Sequence, residues 1–456
     1  MENVSEVIQK QREFFSQGKT KELAYRLDAL KRLQSLIQAF EQDIMDALKA
    51  DLNKSNFDTY LTEIGIVQAE ISFTLKHLHK WTKVKRVKST LATFGAKGYL
   101  YPEPYGVALI IAPWNYPFQL AVAPIIGAIA AGNCAILKPS ELTPHTSAIL
   151  TKLFNENFPD DYIKVIEGGV DTSTALLEEK FDYIFFTGSV QVGKVVMEAA
   201  AKTLTPVTLE LGGKSPCIVH EDANLKLAAK RIAWGKYINA GQTCVAPDYV
   251  YVHQQVKEPF LQELKKAITE LYSEDVHSSD GFTKIVNEKH FKRLNSFLEN
   301  EQTIYGGRTD SSTLVIEPTI LDKISWDDQI MQEEIFGPIL PVLDYKELPE
   351  LINAINQKPK PLALYLFSES EGVQQMILNG ISFGGGCIND TVYHLSSPYL
   401  PFGGVGESGI GAYHGKGSFD VFSHIKSVLK QTTLFDLPFR YPTTKNALKK
   451  VKMFLK

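Results

Sequence analysis

The chain has 456 residues, with 48 Lys and Arg against 52 Asp and Glu, a formal net charge of −4, 44% hydrophobic and 22% charged residues. That length exceeds one hydrophobic core and predicts about two to three domains, while the composition excludes a disordered chain and a bulk attraction to nucleic acid. Four cysteines without paired spacing exclude a disulfide framework and suit the reducing cytoplasm. The first six residues carry acids and no apolar stretch, so no signal peptide is expected. No window approaches the ~20 apolar residues of a membrane span, and the richest run, 118–131, stops at Gly132.

In chain order, apolar residues at helical spacing predict helices over 21–49 and about 59–80, and β-prone residues around Gly95 and Gly98 predict a hairpin over 90–104. From Val107 short apolar runs alternate with helical stretches. Strands are expected at 107–112, 135–137, 163–166, 183–186 and 207–211, with helices at 118–131, 144–157, 172–179 and 192–202 between them. Such alternation is the signature of a parallel, doubly wound sheet. A second α/β series follows Gly212, with strands at 218–219 and 249–253 and helices over 225–238 and 257–271.

Doubly wound sheets bind ligands beyond the carboxyl ends of their strands, and here those ends carry chemistry. Ala112-Pro113-Trp114-Asn115 places an amide in a rigid aromatic turn, where it could donate to an oxyanion or close an Asx-turn. Lys138-Pro139-Ser140-Glu141 sets a cation and a carboxylate around a fixed turn, able to share ribose hydroxyls or to form a surface ion pair. Thr187-Gly188-Ser189 leads through Gly193 into a helix, an arrangement that can meet a pyrophosphate or simply cap the helix. Among Cys134, Cys217, Cys244 and Cys387, three lie in apolar company. Cys244, in Gly241-Gln242-Thr243-Cys244, has a loop-like context where backbone dipoles would lower its pKa, and Glu210-Leu211-Gly212-Gly213 supplies a carboxylate upstream. Thiol and acid together propose a covalent enzyme.

The motifs Pro-Trp-Asn, Leu-Lys-Pro-Ser-Glu, Phe-Thr-Gly-Ser, Glu-Leu-Gly-Gly-Lys, Gly-Gln-Thr-Cys, Glu-Glu-Ile-Phe-Gly-Pro and Pro-Phe-Gly-Gly, in this order, resemble the aldehyde dehydrogenase family, and the resemblance runs to about Lys430. The short N-terminus and the stretch Gly411-Ala412-Tyr413-His414 look like its class 3 branch, which acts on fatty and aromatic aldehydes. The resemblance implies a Rossmann-like cofactor domain, a second α/β catalytic domain and a small β oligomerisation arm. Residues 1–85 and 105–212 would form the N-terminal helices and the NAD(P)-binding domain, 213–426 the catalytic domain, 86–104 and 427–445 the arm of a homodimer, and 446–456 a basic tail.

It further implies Cys244 as nucleophile, Glu210 as base for hydrolytic water and Asn115 as oxyanion donor. Lys138 and Glu141 would contact the adenosine ribose, Ser189 the pyrophosphate and Glu334 the nicotinamide ribose. Phe336 would pack beside the nicotinamide, with Trp114, Gly188, Gly193 and Leu211 completing the cofactor site. Glu141 repels a 2′-phosphate and points to NAD, and a carboxylate that swings aside would admit NADP. A cysteine-dependent ester hydrolase is the alternative activity. The acid-free segment 440–456, with Leu448, Val451 and Leu455 at helical spacing, is either a solvated terminal helix or a weak contact with an anionic membrane surface.

Overall fold

The computed structural model describes residues 4–273, 275–276, 281–299 and 302–454. Its first lobe is built on a six-stranded sheet whose parallel strands run in the spatial order 163–165, 134–138, 107–111, 183–187 and 207–210, with the short strand 409–410 antiparallel at the edge. Strand Val107–Ile111 is buried along its whole length, as a central strand covered on both faces must be. Helix Gln119–Ala131 is likewise buried on every side, and it ends at Gly132, whose φ of 98° suits a residue without a Cβ. Strand order reverses between 107–111 and 183–187, so a crevice opens there at the carboxyl ends.

The second lobe has a seven-stranded sheet in the order 303–305, 319–321, 339–345, 249–253, 216–219, 363–367 and 385–388, parallel except at 303–305. Five of its strands, 339–345, 249–253, 216–219, 363–367 and 385–388, repeat the winding of the first sheet. The chain crosses between lobes at 211–215, so the carboxyl end of strand 207–210 leads directly into the amino end of strand 216–219.

Several elements differ from expectation. Helix Val4–Ser16 precedes the predicted ones, and the predicted helix over 21–49 is two, Leu23–Ala39 and Glu41–Leu52, which turn at Phe40 so that both can bury a face on the core. The second helix is interrupted at Tyr60–Ile64 by a π turn. The hairpin pairs Lys85–Val87 with Lys97–Pro104, and strand Ser423–Lys430 adds antiparallel to the latter. The three-stranded sheet therefore begins earlier in each segment than 86–104 and 427–445, and no strand follows Lys430 among the described residues. The tail contains helix Ala447–Phe454; Leu455 lies outside the described residues. No helix among the described residues is long and apolar enough to cross a membrane.

Candidate active site

The carboxyl ends of the first sheet face the amino ends of the second, and nearly all the residues singled out in the sequence lie at this meeting. From the first lobe come Trp114 and Asn115 after strand 107–111, Lys138 and Glu141 after 134–138, Gly188 and Ser189 after 183–187, and Glu210 closing 207–210. From the second come Cys244 ahead of strand 249–253, and Glu334 and Phe336 ahead of 339–345. A cleft of about 400 Å³ runs between the lobes, lined by Gln191 and Lys194 on one side and by Gly212, Lys214, Glu334 and Lys360 on the other.

Cys244 sits in a turn with part of its surface accessible. The backbone around it is unusual, because Asn239, Ala240 and Gly241 have φ values of 54°, 51° and 71°, three successive residues in the left-handed region. Only glycine adopts this region freely, so the surroundings must hold the other two. The buried Gln242 does so: its Nε2 donates to the carbonyls of Asn239 at 3.2 Å and Lys284 at 3.0 Å, and its Oε1 accepts from the Val286 N–H at 3.1 Å. At Gly241 a Cβ would run into the Gly337 carbonyl.

The thiol is not lowered as the loop context led us to expect. Burial pushes the Cys244 thiol well above its ordinary value, the nearby Glu334 and Glu210 carboxyls add to this, and the N–H groups of Cys244 and Val245 oppose it only in part. Backbone dipoles are present, but they lose to desolvation and to two acids. Glu210 is 3% exposed, neither of its carboxyl oxygens has a hydrogen-bond partner, and burial raises its pKa far above the usual carboxylate range. A buried acid with no partner in the fold is built for something other than stability.

Asn115 is held from both sides. Its Nδ2 donates to the Gln242 carbonyl at 3.1 Å, and its own carbonyl accepts from Asn239 Nδ2 at 2.9 Å, so the amide is tied to the cysteine loop with one N–H still available. The neighbouring Tyr116 hydroxyl meets Thr243 Oγ1 at 2.6 Å. Trp114 packs edge-on against Phe336, ring centroids 5.3 Å apart, which joins the lobes over the cleft; Phe336 has a φ of 52°.

Lys138 is buried, and its Nζ donates to Glu141 at 2.7 Å. Partial burial pushes the Glu141 carboxyl up, but the Lys138 hydrogen bond, a backbone N–H and the lysine charge outweigh it, leaving the acid below its ordinary value. Ser189 caps helix Val190–Ala201 by accepting from the Val192 N–H at 3.3 Å. A Cβ on Gly193 would meet the Leu211 side chain at 2.6 Å and one on Gly188 the Phe186 ring at 2.5 Å, so both glycines serve close packing of the chain on itself. Glu334 faces Gly212 so closely that a Cβ there would collide with its carboxyl, and burial with the Asp248 charge pushes its pKa up to about 8. A donor and an acceptor on one strand end, a capped helix opening on the next and an acid across the cleft fit the ribose, phosphate and second ribose of a dinucleotide.

Other contributors had no role assigned from the sequence. Lys214 pairs with Asp248 and donates to the carbonyls of Ile330 at 3.1 Å and Glu333 at 2.8 Å, and Asp248 accepts from the Ile335 N–H at 2.9 Å, which together fix the loop carrying Glu334. Lys236 is fully buried with no hydrogen-bond partner, and burial lowers its pKa to about 8. Cys387, expected to pack as a small hydrophobe, is only half-buried, with Sγ 3.5 Å from His394 Nδ1.

Comparison with known proteins gives the arrangement its family. The sequence model of the aldehyde dehydrogenase family matches residues 1–428. The chain is 51% identical over 445 residues, 97% of each chain, to a 4,4'-diaponeurosporen-aldehyde dehydrogenase of Staphylococcus aureus. It is 45% identical over 444 residues, 97% of this chain and 98% of the other, to a dimeric NADP-preferring aldehyde dehydrogenase of Canis lupus familiaris. A solved structure of the substrate-bound state of Staphylococcus aureus AldH superposes with a TM-score of 0.98 at 50% identity, covering 100% of both chains. The chain belongs to the aldehyde dehydrogenase family, as an α/β oxidoreductase with a Rossmann-like first lobe.

Proposed function

We propose that this enzyme oxidises a medium- or long-chain aliphatic or an aromatic aldehyde to the carboxylic acid through a thioester on Cys244, with NAD(P) as hydride acceptor. The observation that carries the reading is the pairing of an accessible thiol with a buried, unpartnered acid, Glu210, at the meeting of the two lobes. Cys244 gives its proton up to solvent and its sulfur bonds to the aldehyde carbon; the oxyanion so formed takes hydrogen bonds from the free Asn115 amide N–H and the Cys244 backbone N–H. NAD(P) held in the cleft would supply the hydride acceptor needed to turn this adduct into a thioester. Glu210, whose resting proton must first pass to solvent, then takes a proton from water, which adds to the thioester carbon, and the carbon–sulfur bond breaks to release the acid.

Lys138 and Glu141 would hold the adenosine ribose, Ser189 the pyrophosphate and Glu334 the nicotinamide ribose, with Trp114 and Phe336 closing the cleft. The ionised Glu141 supports NAD over NADP, while the name of the canine relative supports NADP. An apolar substrate is supported by the name of the Staphylococcus relative. A homodimer is supported by the canine relative's name and by strand Ser423–Lys430, an edge whose Ile425 and Leu429 are exposed. Residues 1–85 with 105–212 act as cofactor lobe and 213–426 as catalytic lobe, in the reducing cytoplasm that a free nucleophilic thiol needs.

The tail is proposed to make weak contact with anionic membrane. Helix Ala447–Phe454 exposes Leu448 and Met453 beside Lys449, Lys450 and Lys452. Liposome flotation of the full chain against one ending at Leu437 checks this, and equal flotation removes the contact. For the chemistry, absorbance of NAD(P)H is followed with hexanal and benzaldehyde, each with NAD+ and NADP+; absence of reduced cofactor with every aldehyde in a chain-length series sinks the assignment.

A further inference from the structure

A charge lies beneath the candidate site that none of these steps uses. Lys54 and Glu63 form an ion pair with side chains 1% and 0% exposed. Burying two charges is costly, and such a pair is weak support for a fold on its own account. The structure goes to some length to bring them together. The π turn Tyr60–Ile64 widens the helix that runs from Asn56 to Trp81 and carries Glu63 inward, and π turns recur at functional sites. The other oxygen of Glu63 accepts from the N–H groups of Phe118 at 2.9 Å and Gln119 at 3.0 Å, in the segment leading from Asn115 into helix Gln119–Ala131.

The ammonium group works on the same turn. Lys54 Nζ donates to the Asn115 carbonyl at 3.3 Å and stands 4.2 Å from the centroid of the Tyr116 ring. That carbonyl is the one Asn239 reaches from the cysteine loop, and the Tyr116 hydroxyl is the one that meets Thr243, next to Cys244. Every side-chain link described between the Asn115 turn and the cysteine loop thus passes through Asn115 itself or a residue that Lys54 touches. Desolvation lowers the proton affinity of Lys54, and the Glu63 charge and hydrogen bond oppose that loss.

We infer that Lys54, paired with Glu63, is a positioning residue that fixes the Asn115 peptide and the Tyr116 ring so that the Asn115 amide stays aimed at the oxyanion on Cys244. This rests on the reading of Asn115 as oxyanion donor. Misplacing such a donor by a fraction of a bond length is expensive, because its effect is confined to good geometry.

The test is the rate of the first-turnover burst of NADH from the full-length enzyme with hexanal, in Lys54→Met, Lys54→Arg, Asn115→Ala and Lys54→Met combined with Asn115→Ala. Lys54→Met is expected to lose about tenfold of the ~10²–10³-fold that an oxyanion donor supplies, with NAD+ affinity unchanged. It should lose less than about twofold when Asn115→Ala is already present, and Lys54→Arg should recover part of the burst. An equal loss in both backgrounds, or a loss that tracks falling NAD+ affinity and melting temperature, marks a merely structural role and overturns the inference. If Lys54→Met does not fold, the double variant Lys54→Met with Glu63→Gln, which removes both charges, replaces it. A wild-type burst there overturns the inference, and a tenfold loss that disappears in the Asn115→Ala background upholds it. A wild-type burst in Asn115→Ala would sink the oxyanion reading itself, whereas a large loss there beside a wild-type burst in Lys54→Met sinks the positioning role alone.

Discussion

Both lobes wind five parallel strands in the same order, yet they use opposite edges. In the first, the crevice at the strand-order reversal, between 107–111 and 183–187, is open and carries Trp114, Asn115, Gly188 and Ser189. In the second, the equivalent crevice lies between 216–219 and 363–367, and the chain's own Asp222 fills it, accepting from Ser368 Oγ at 3.0 Å and from the N–H groups of Glu369 at 3.0 Å and Ser370 at 2.7 Å. A carboxylate stands where the first lobe leaves room for a phosphate. The second lobe instead presents its amino edges, where Cys244, Lys214 and Glu334 precede their strands. One winding therefore yields a cofactor site at one end and a nucleophile at the other, and the direct passage through Gly212 and Gly213 makes the two ends meet.

The comparison breaks most completely at Cys244. Cys244→Ala should remove aldehyde oxidation by a factor of roughly 10⁴ or more while leaving NAD+ binding by the first lobe intact, read as NADH absorbance beside cofactor titration. Turnover near the wild-type rate in this variant would move the nucleophile elsewhere.

Next in size is Glu210, where rate and stability are expected to part. Glu210→Gln should give one equivalent of NADH per active site and then stall, because the thioester forms but its hydrolytic water lacks a base. Continued steady turnover would assign the base to another residue. Stability should move the other way. The native carboxyl holds its proton well above the usual range, so the unfolded chain binds fewer protons than the native one over that interval, and wild-type stability is lost as pH rises above about 4.5. Glu334, at about 8, adds the same slope between about 4.5 and 8. Glu210→Gln should accordingly melt above the wild type at pH 8, with a smaller margin at pH 5; an equal margin at both would mean that Glu210 is ionised in the resting enzyme.

Legibility in the sequence followed the same division. The first lobe was readable because its strands are apolar runs separated by helical stretches, and because strand ends such as Leu137-Lys138-Pro139-Ser140-Glu141 are contiguous. The α/β class, Glu210 at its strand end and Cys244 in its loop followed from such local patterns. What stayed hidden depends on contacts across long separations. Strand Ser423–Lys430 pairs with 97–104 more than three hundred residues away, and its fully exposed character after Ser423 gives no buried alternation to detect. Lys54, between two helices, and Glu63, in a helical stretch, look like ordinary surface charges until the fold buries them, and burial with two facing acids raises the Cys244 thiol rather than lowering it. The three left-handed residues before Cys244 are equally silent, since two of them are not glycine.

Glu141 sharpens the cofactor side with a smaller effect. Its carboxylate, held ionised by Lys138, would lie beside any 2′-phosphate. Glu141→Gln should lower the KM for NADP+ by about fivefold, the worth of roughly 1 kcal/mol of like-charge repulsion near a surface, and raise that for NAD+. An unchanged ratio would place the discrimination at another residue.

The smallest effect belongs to the filled crevice, and it separates the two lobes most cleanly. Asp222 is exposed, so solvent can replace much of what its three hydrogen bonds contribute, and Asp222→Ala should cost only about 1 kcal/mol, within the range of a lost helix cap. The donors it leaves free are the same kind that hold anions at helix starts, so millimolar phosphate should recover part of the lost melting temperature in Asp222→Ala and much less in the wild type. The kcat for aldehyde oxidation should stay at the wild-type value, because this crevice lies at the carboxyl edge of the second sheet and Cys244 at the amino edge. A fall in kcat without a fall in melting temperature would show that the two edges communicate through strands 216–219 and 249–253, and that the filled crevice belongs to the catalytic machinery.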